Sequence, residues 1–209
     1  DQRYIDYFAK KGALNMKIVA AVQNNIEIID ILIKTRNIYL IHSLSDDIIK
    51  KLLVPNEMGI YPLEKYINNE EVISELIKLI CNPQTLITIL KKNNKLDLLK
   101  YANDIVLLYK LNDNETIFEK LYNRNIIPTI LDEKPDNRSF INFLRQQKLY
   151  EYLKSSKEDV LLLKIDGEKT LLEELIENGY IPEMIYGQND IETIEEFEED
   201  TQISFRRYL

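Results

Sequence analysis

Polar and apolar positions follow a fixed order along residues 166 to 185, DGEKTLLEELIENGYIPEMI. A polar turn comes first, Asp166-Gly167, made of residues that tolerate turn geometry and bond back to the backbone. Thr170 follows, with a hydroxyl able to cap the first turn of a helix. Leu171, Leu172, Leu175 and Ile176 then recur at helical spacing over about two turns. Gly179 stops the helix, because glycine accepts the left-handed conformation of a helix C-terminus. Ile181-Pro182 opens a second short apolar segment, with proline tolerated at a helix start.

The same order occurs earlier in the chain, at the constant offset that takes Thr116 to Thr170. Ile117-Phe118 then faces Leu171-Leu172, Asn125 faces Gly179, and Ile127-Pro128 faces Ile181-Pro182, with no gap. Weaker copies begin at Tyr61, Leu96 and Ser139, so the starts are unevenly spaced. One such helix pair cannot bury its own apolar face, but stacked neighbours can. The pattern predicts an all-α solenoid of stacked helix-turn-helix repeats, forming a single domain over 1–209. Its repeats span 15–187. A helical N-terminal cap is expected over 1–14 around Tyr4, Tyr7 and Phe8, and an acidic C-terminal cap over 188–209 with Ile194, Phe197 and Ile203 inward.

Composition fits a helical protein. The chain has 5 glycines and 6 prolines, too few for a turn-rich β-protein or a glycine-rich phosphate loop. Its net charge is −8, and no basic stripe of the kind that grips nucleic acid interrupts it. The acidic run from Asp190 to Asp200 reads as a solvated helix face. No apolar run reaches membrane-spanning length. A single cysteine, Cys81, excludes an intrachain disulfide framework, which fits a reducing compartment and a cytoplasmic location. The chain starts at Asp1 rather than Met, which suggests a fragment of a larger protein. Delivery into a host cytoplasm, as part of an effector, is a variant of that expectation. The Ile-, Asn- and Lys-rich composition suggests an AT-rich, bacterial genome.

Candidate chemistry is sparse. His42 is the only histidine, so a two-histidine metal motif is excluded, and its apolar neighbours mark it as structural. Cys81 ends the apolar run Leu79-Ile80-Cys81 and reads as a buried small hydrophobe. No catalytic set, cofactor site or metal site emerges. The aromatic residues Tyr66, Tyr101 and Tyr122 fall at expected core positions, whereas Tyr180 and Tyr186 suit a partner contact.

The sequence resembles the ankyrin repeat family in several places. Asp166-Gly167, Thr170-Leu171 and the late Gly179 match its helix opening and stop. Tyr61-Pro62-Leu63 followed by Asn68-Asn69 and Val72-Ile73 is similar to its Thr-Pro-Leu opening and second-helix entry, and Ala20-Ala21 to its small-residue pair. The resemblance implies a scaffold that binds another protein through a concave face; the charge, the hydropathy and the missing glycine motifs add the expectation of no nucleic acid, no membrane and no cofactor. It places the contact residues at helix ends and just before each repeat start. At the helix ends these are Asn68, Asn69, Asn103, Asn123, Arg124, Gln146, Gln147, Glu177 and Asn178; before the starts, Arg138 and Lys169. The alternative is a helical enzyme domain with an unrecognised active site. Oligomeric state is left open.

Overall fold

The structure is a computed structural model that describes residues 7–8, 10–13, 15–21, 25–111, 115–131, 137–154, 156–167 and 169–182. The expected caps fall largely (1–14) or wholly (188–209) outside these residues, and so does Tyr186. The chain forms two compact units, 1–130 and 131–209. Helices dominate both, in keeping with the all-α expectation.

In the first unit the helices are α1 (Met16–Ala21), α2 (Glu27–Lys34), α3 (Asp46–Leu52), α4 (Glu70–Leu79), α5 (Pro83–Lys92), α6 (Asp104–Leu107) and α7 (Ile117–Tyr122). Between them run tighter 3-10 segments, Ile38–Ser43, Pro62–Tyr66 and Leu96–Tyr101. The segment Ile38–Ser43 packs against α1, α2 and α4, and Leu96–Tyr101 packs against α4, α5 and α7. These segments therefore lie inside the layer of α-helices, with Leu40, Ile41 and Leu99 buried. Each buried aliphatic side chain contributes roughly 1.5–3 kcal/mol, so a short 3-10 segment holds its place through one or two such residues.

In the second unit the helices are α8 (Arg138–Gln146), α9 (Glu158–Leu161) and α10 (Leu171–Glu177), with a hairpin of β1 (Lys164–Asp166) and β2 (Lys169–Thr170). The 3-10 segment Tyr150–Tyr152 packs against α8, and α10 packs against α9 and β2.

Five helices end in the same way. In α2, α5, α7, α8 and α10 a buried leucine carbonyl accepts a hydrogen bond from the N–H five residues on. The pairs are Leu32 with Asn37 (2.8 Å), Leu90 with Lys95 (2.8 Å), Leu121 with Ile126 (3.0 Å), Leu144 with Leu149 (2.9 Å) and Leu175 with Tyr180 (2.9 Å). The residue before the donor is left-handed in each: Arg36, Asn94, Asn125, Lys148 and Gly179, with φ of 57°, 54°, 59°, 57° and 80°. This is the Schellman ending, which satisfies the last orphan carbonyls and turns the chain back on itself.

The correspondence between the Thr116 and Thr170 copies carries over into geometry. An antiparallel bridge joins Lys110 to Thr116, and its counterpart joins Lys164 to Thr170. The N–H of Ile117 donates to the Tyr109 carbonyl and that of Leu171 to the Leu163 carbonyl, both at 3.1 Å. Thr116 with Glu119, and Thr170 with Glu173, form reciprocal capping boxes. The α6 and α9 helices and the left-handed Asn94 and Lys148 are related by the same offset.

Three expectations change. The copies beginning at Tyr61 and Leu96 open not in α-helices but in the 3-10 segments Pro62–Tyr66 and Leu96–Tyr101; the α-helix before Leu96 is α5. Its start is Asn82-Pro83, where the Asn82 side chain accepts the Thr85 N–H at 3.1 Å and the proline occupies the first helical turn. Cys81 is exposed, not buried. Helix α4 ends at Leu79, and the buried Ile80 takes the core position instead.

Candidate functional site

The expected contact residues lie at helix ends, yet several are committed to the fold. Asn69 caps α4 by accepting the Val72 N–H at 3.3 Å. Asn103 caps α6 through Val106 and also donates to the carbonyls of Lys78 (2.9 Å) and Ile80 (3.0 Å), tying α6 to the end of α4. Asn178 donates to the Glu174 carbonyl and Arg138 to the Lys164 carbonyl. Helix-end residues and pre-threonine residues do meet: Asn123 donates to Glu115 at 2.9 Å, and Lys169 pairs with Glu177 at the equivalent place. Asn68, Gln146 and Gln147 are exposed. His42 is also exposed and bonds through Nδ1 to the Tyr39 carbonyl.

The larger hollow is one the sequence did not single out. A groove of about 1080 Å³ runs between α5, the segment Leu96–Tyr101 and α7. Its floor is the buried Leu99, Ile117 and Leu121, and its walls are the half-buried Ile87, Leu96 and Leu111. Around them stand Lys91, Lys92, Lys120 and Arg124, and no carboxylate lines the groove among the described residues. Of the expected residues only Arg124 belongs to it.

A smaller cavity of about 390 Å³ lies in the second unit, lined by Asn142, Arg145, Gln146, Ile165 and Glu174. The offset that takes Thr170 back to Thr116 converts these into Thr88, Lys91, Lys92, Leu111 and Lys120, all of which line the larger groove. The two hollows are therefore the same place in two copies of one plan.

Charge distinguishes them. In the second unit Arg145 donates to Glu174 Oε2 through Nε (2.9 Å) and Nη2 (2.6 Å), while the Tyr150 hydroxyl donates to Oε1 at 3.0 Å. Burial pushes the Glu174 carboxyl up, but the bonds from Arg145 and Tyr150 and the guanidinium charge together hold it below the ordinary value of 4.5. This pair bridges α8 and α10 along the wall of the hollow. In the first unit both positions are lysines, Lys91 and Lys120, which repel rather than bridge. Lys91 and Lys120 are exposed, and neither has an ion pair among the described residues. Their neighbours are occupied: Lys92 with Glu64 at 2.9 Å and Arg124 with Asp97 at 3.2 Å.

Among the described residues no group of three His, Cys, Asp or Glu side chains converges as a metal site would require, and no helix is long and apolar enough to cross a membrane. The groove can offer ammonium donors, the Gln84 amide N–H and aliphatic surface, the Tyr109 hydroxyl being donated to Gln84 Oε1 at 3.0 Å.

No family model, curated protein or solved structure matches the chain.

Proposed function

We propose that this chain is a helical interaction module, built of ankyrin-like helix pairs, that binds another protein. The observation that carries the reading is the α5–α7 groove, where the exposed Lys91 and Lys120 adjoin aliphatic walls and have no ion pair among the described residues. Interfaces combine a desolvated apolar centre with a polar rim in this way. The resemblance in helix openings and stops supports the same reading.

The test is retention of a protein partner by immobilised chain. Wild type is compared with Ile87→Arg, which fills the groove from a half-buried position, and with Asn123→Ala/Gln147→Ala at the helix ends. All are first matched for thermal stability. Retention by wild type and by the helix-end variant, with loss in Ile87→Arg, is expected. Equal retention by Ile87→Arg would remove the groove as the binding site. Turnover of a small molecule by wild type, with no protein retained, would turn the reading towards an enzyme.

A further inference from the structure

We infer that the α5–α7 groove takes an acidic, amphipathic peptide segment of a partner protein, with an Asp or Glu side chain seated between Lys91 and Lys120. The inference rests on the interaction reading above and gives it a ligand chemistry. The position that follows each capping-box glutamate is Lys65, Lys120 and Glu174, after Glu64, Glu119 and Glu173. At two of these places the side chain is ion-paired to a preceding helix. Lys65 bonds Asp30 on α2 at 2.5 Å, and Glu174 bonds Arg145 on α8 at 2.6 Å. Only Lys120 lacks a counter-ion among the described residues.

Among the described residues, the elements around Lys120 supply none. The groove face of α5 carries Gln84, Ile87, Thr88 and Lys91, and the Thr88 hydroxyl is spent on the Gln84 carbonyl at 2.8 Å. Glu64 is held by Lys92 and Asn93, Asp97 by Arg124, and Glu119 by the Thr116 cap. Where Glu174 neutralises Arg145 beside its own hollow, the equivalent groove thus presents two ammonium groups and open space. A ligand carboxylate restores the arrangement of the second unit, using a partner's acid for the missing internal one.

The rest of the groove decides between kinds of acid. Ile87, Leu96 and Leu111 are aliphatic walls suited to apolar side chains at helical or alternate spacing. Among the described residues Tyr109 is the one aromatic in the lining, whereas nucleic-acid grooves stack bases on several. The net charge of −8 also opposes a long polyanion, while a short segment meets mainly the local lysines.

The experiment is fluorescence anisotropy with the intact chain and a labelled synthetic peptide of roughly three helical turns. The peptide carries Leu or Phe at i, i+3, i+4 and i+7 and Glu elsewhere, and a second version replaces every Glu with Gln. Wild type should bind the Glu peptide about tenfold or more tightly than the Gln version, a difference of about 1.4 kcal/mol. The variant Lys91→Arg/Lys120→Glu installs the Arg–Glu pair of the second unit at the same two positions. It should lose the preference for Glu peptide while melting no lower than wild type. Lys120→Gln, which removes one charge without closing the groove, should fall between them. Equal binding of the two peptides by wild type would overturn the inference, as would undiminished Glu preference in Lys91→Arg/Lys120→Glu. Tighter binding of a single-stranded oligonucleotide of equal charge would overturn it in favour of nucleic acid. A partner that is lost in Ile87→Arg but kept fully by Lys91→Arg/Lys120→Glu would defeat this inference and leave the interaction reading standing.

Discussion

At Gly179 the backbone is left-handed, with φ of +80°, and a Cβ added there meets nothing within 4 Å. The cost of a side chain is therefore conformational alone. Gly179→Ala is expected to lose about 1 kcal/mol of stability, read from the urea midpoint at unchanged slope. Lys148 occupies the equivalent position at φ 57° and carries that strain already. Lys148→Gly should gain about 0.5 kcal/mol in the same assay, because relief of the strain is partly offset by the freer unfolded chain. The left-handed stops at Gly179 and Asn125 were legible in the sequence, since these residue types favour that conformation. Those at Arg36 and Lys148 were not, because nothing in a lone basic residue signals it. Their cue is the leucine four positions earlier, Leu32 or Leu144, whose buried carbonyl the ending satisfies.

Among the elements, α8 and α10 are joined by Arg145 and Glu174, whose side chains are 17% and 12% exposed. A glutamate held below its ordinary value of 4.5 stabilises fully above that value, and the contribution fades as pH falls through the lower folded value. Glu64 and Glu173 are also lowered, chiefly by the backbone N–H groups of Tyr61 and Thr170. Thermal stability should therefore fall as pH drops from about 5 towards 3. Glu174→Gln should cost about 2 kcal/mol at neutral pH and flatten that acid slope, which melts across a pH series would reveal. Replacing Leu121 or Leu175, 3% and 0% exposed, with Asp buries an unpaired charge. Either change should cost about 4 kcal/mol or more, with loss of the helical circular-dichroism signal on mild heating. Helices with a threonine cap and a periodic apolar face could be read directly from the chain. The 3-10 segments could not, because Leu96-Asp-Leu-Leu-Lys-Tyr has the apolar content of an α-helix; the left-handed turn before it and the extended Ala102 after it set the tighter form.

For the molecule as a whole, the groove is a patch of positive charge on a chain of net charge −8. Binding of the acidic peptide should weaken steadily with added salt, by about tenfold or more between 50 mM and 500 mM, as titrations at fixed temperature would show. Little of this groove was legible from the helix ends alone, where Asn103 and Asn178 also serve as caps and ties. The signal that locates it does lie in the sequence: with Thr116 aligned on Thr170, Lys91 and Lys120 fall on Arg145 and Glu174. Seeing that reversal in three dimensions required knowing that Arg145 and Glu174 meet and that Lys91 and Lys120 line one groove, which only the folded chain reveals. The same reversal bears on how the chain reaches its native pairing. Because α7 and α10 share caps, apolar spacing and endings, a folding chain could exchange one for the other. The exchange would leave one attractive and one repulsive pair, as in the native arrangement, but would move the repulsive pair from the exposed Lys91 and Lys120 to the half-buried Arg145, where water screens it less. Burial, rather than the sign of one charge, separates these near-duplicate helices during folding.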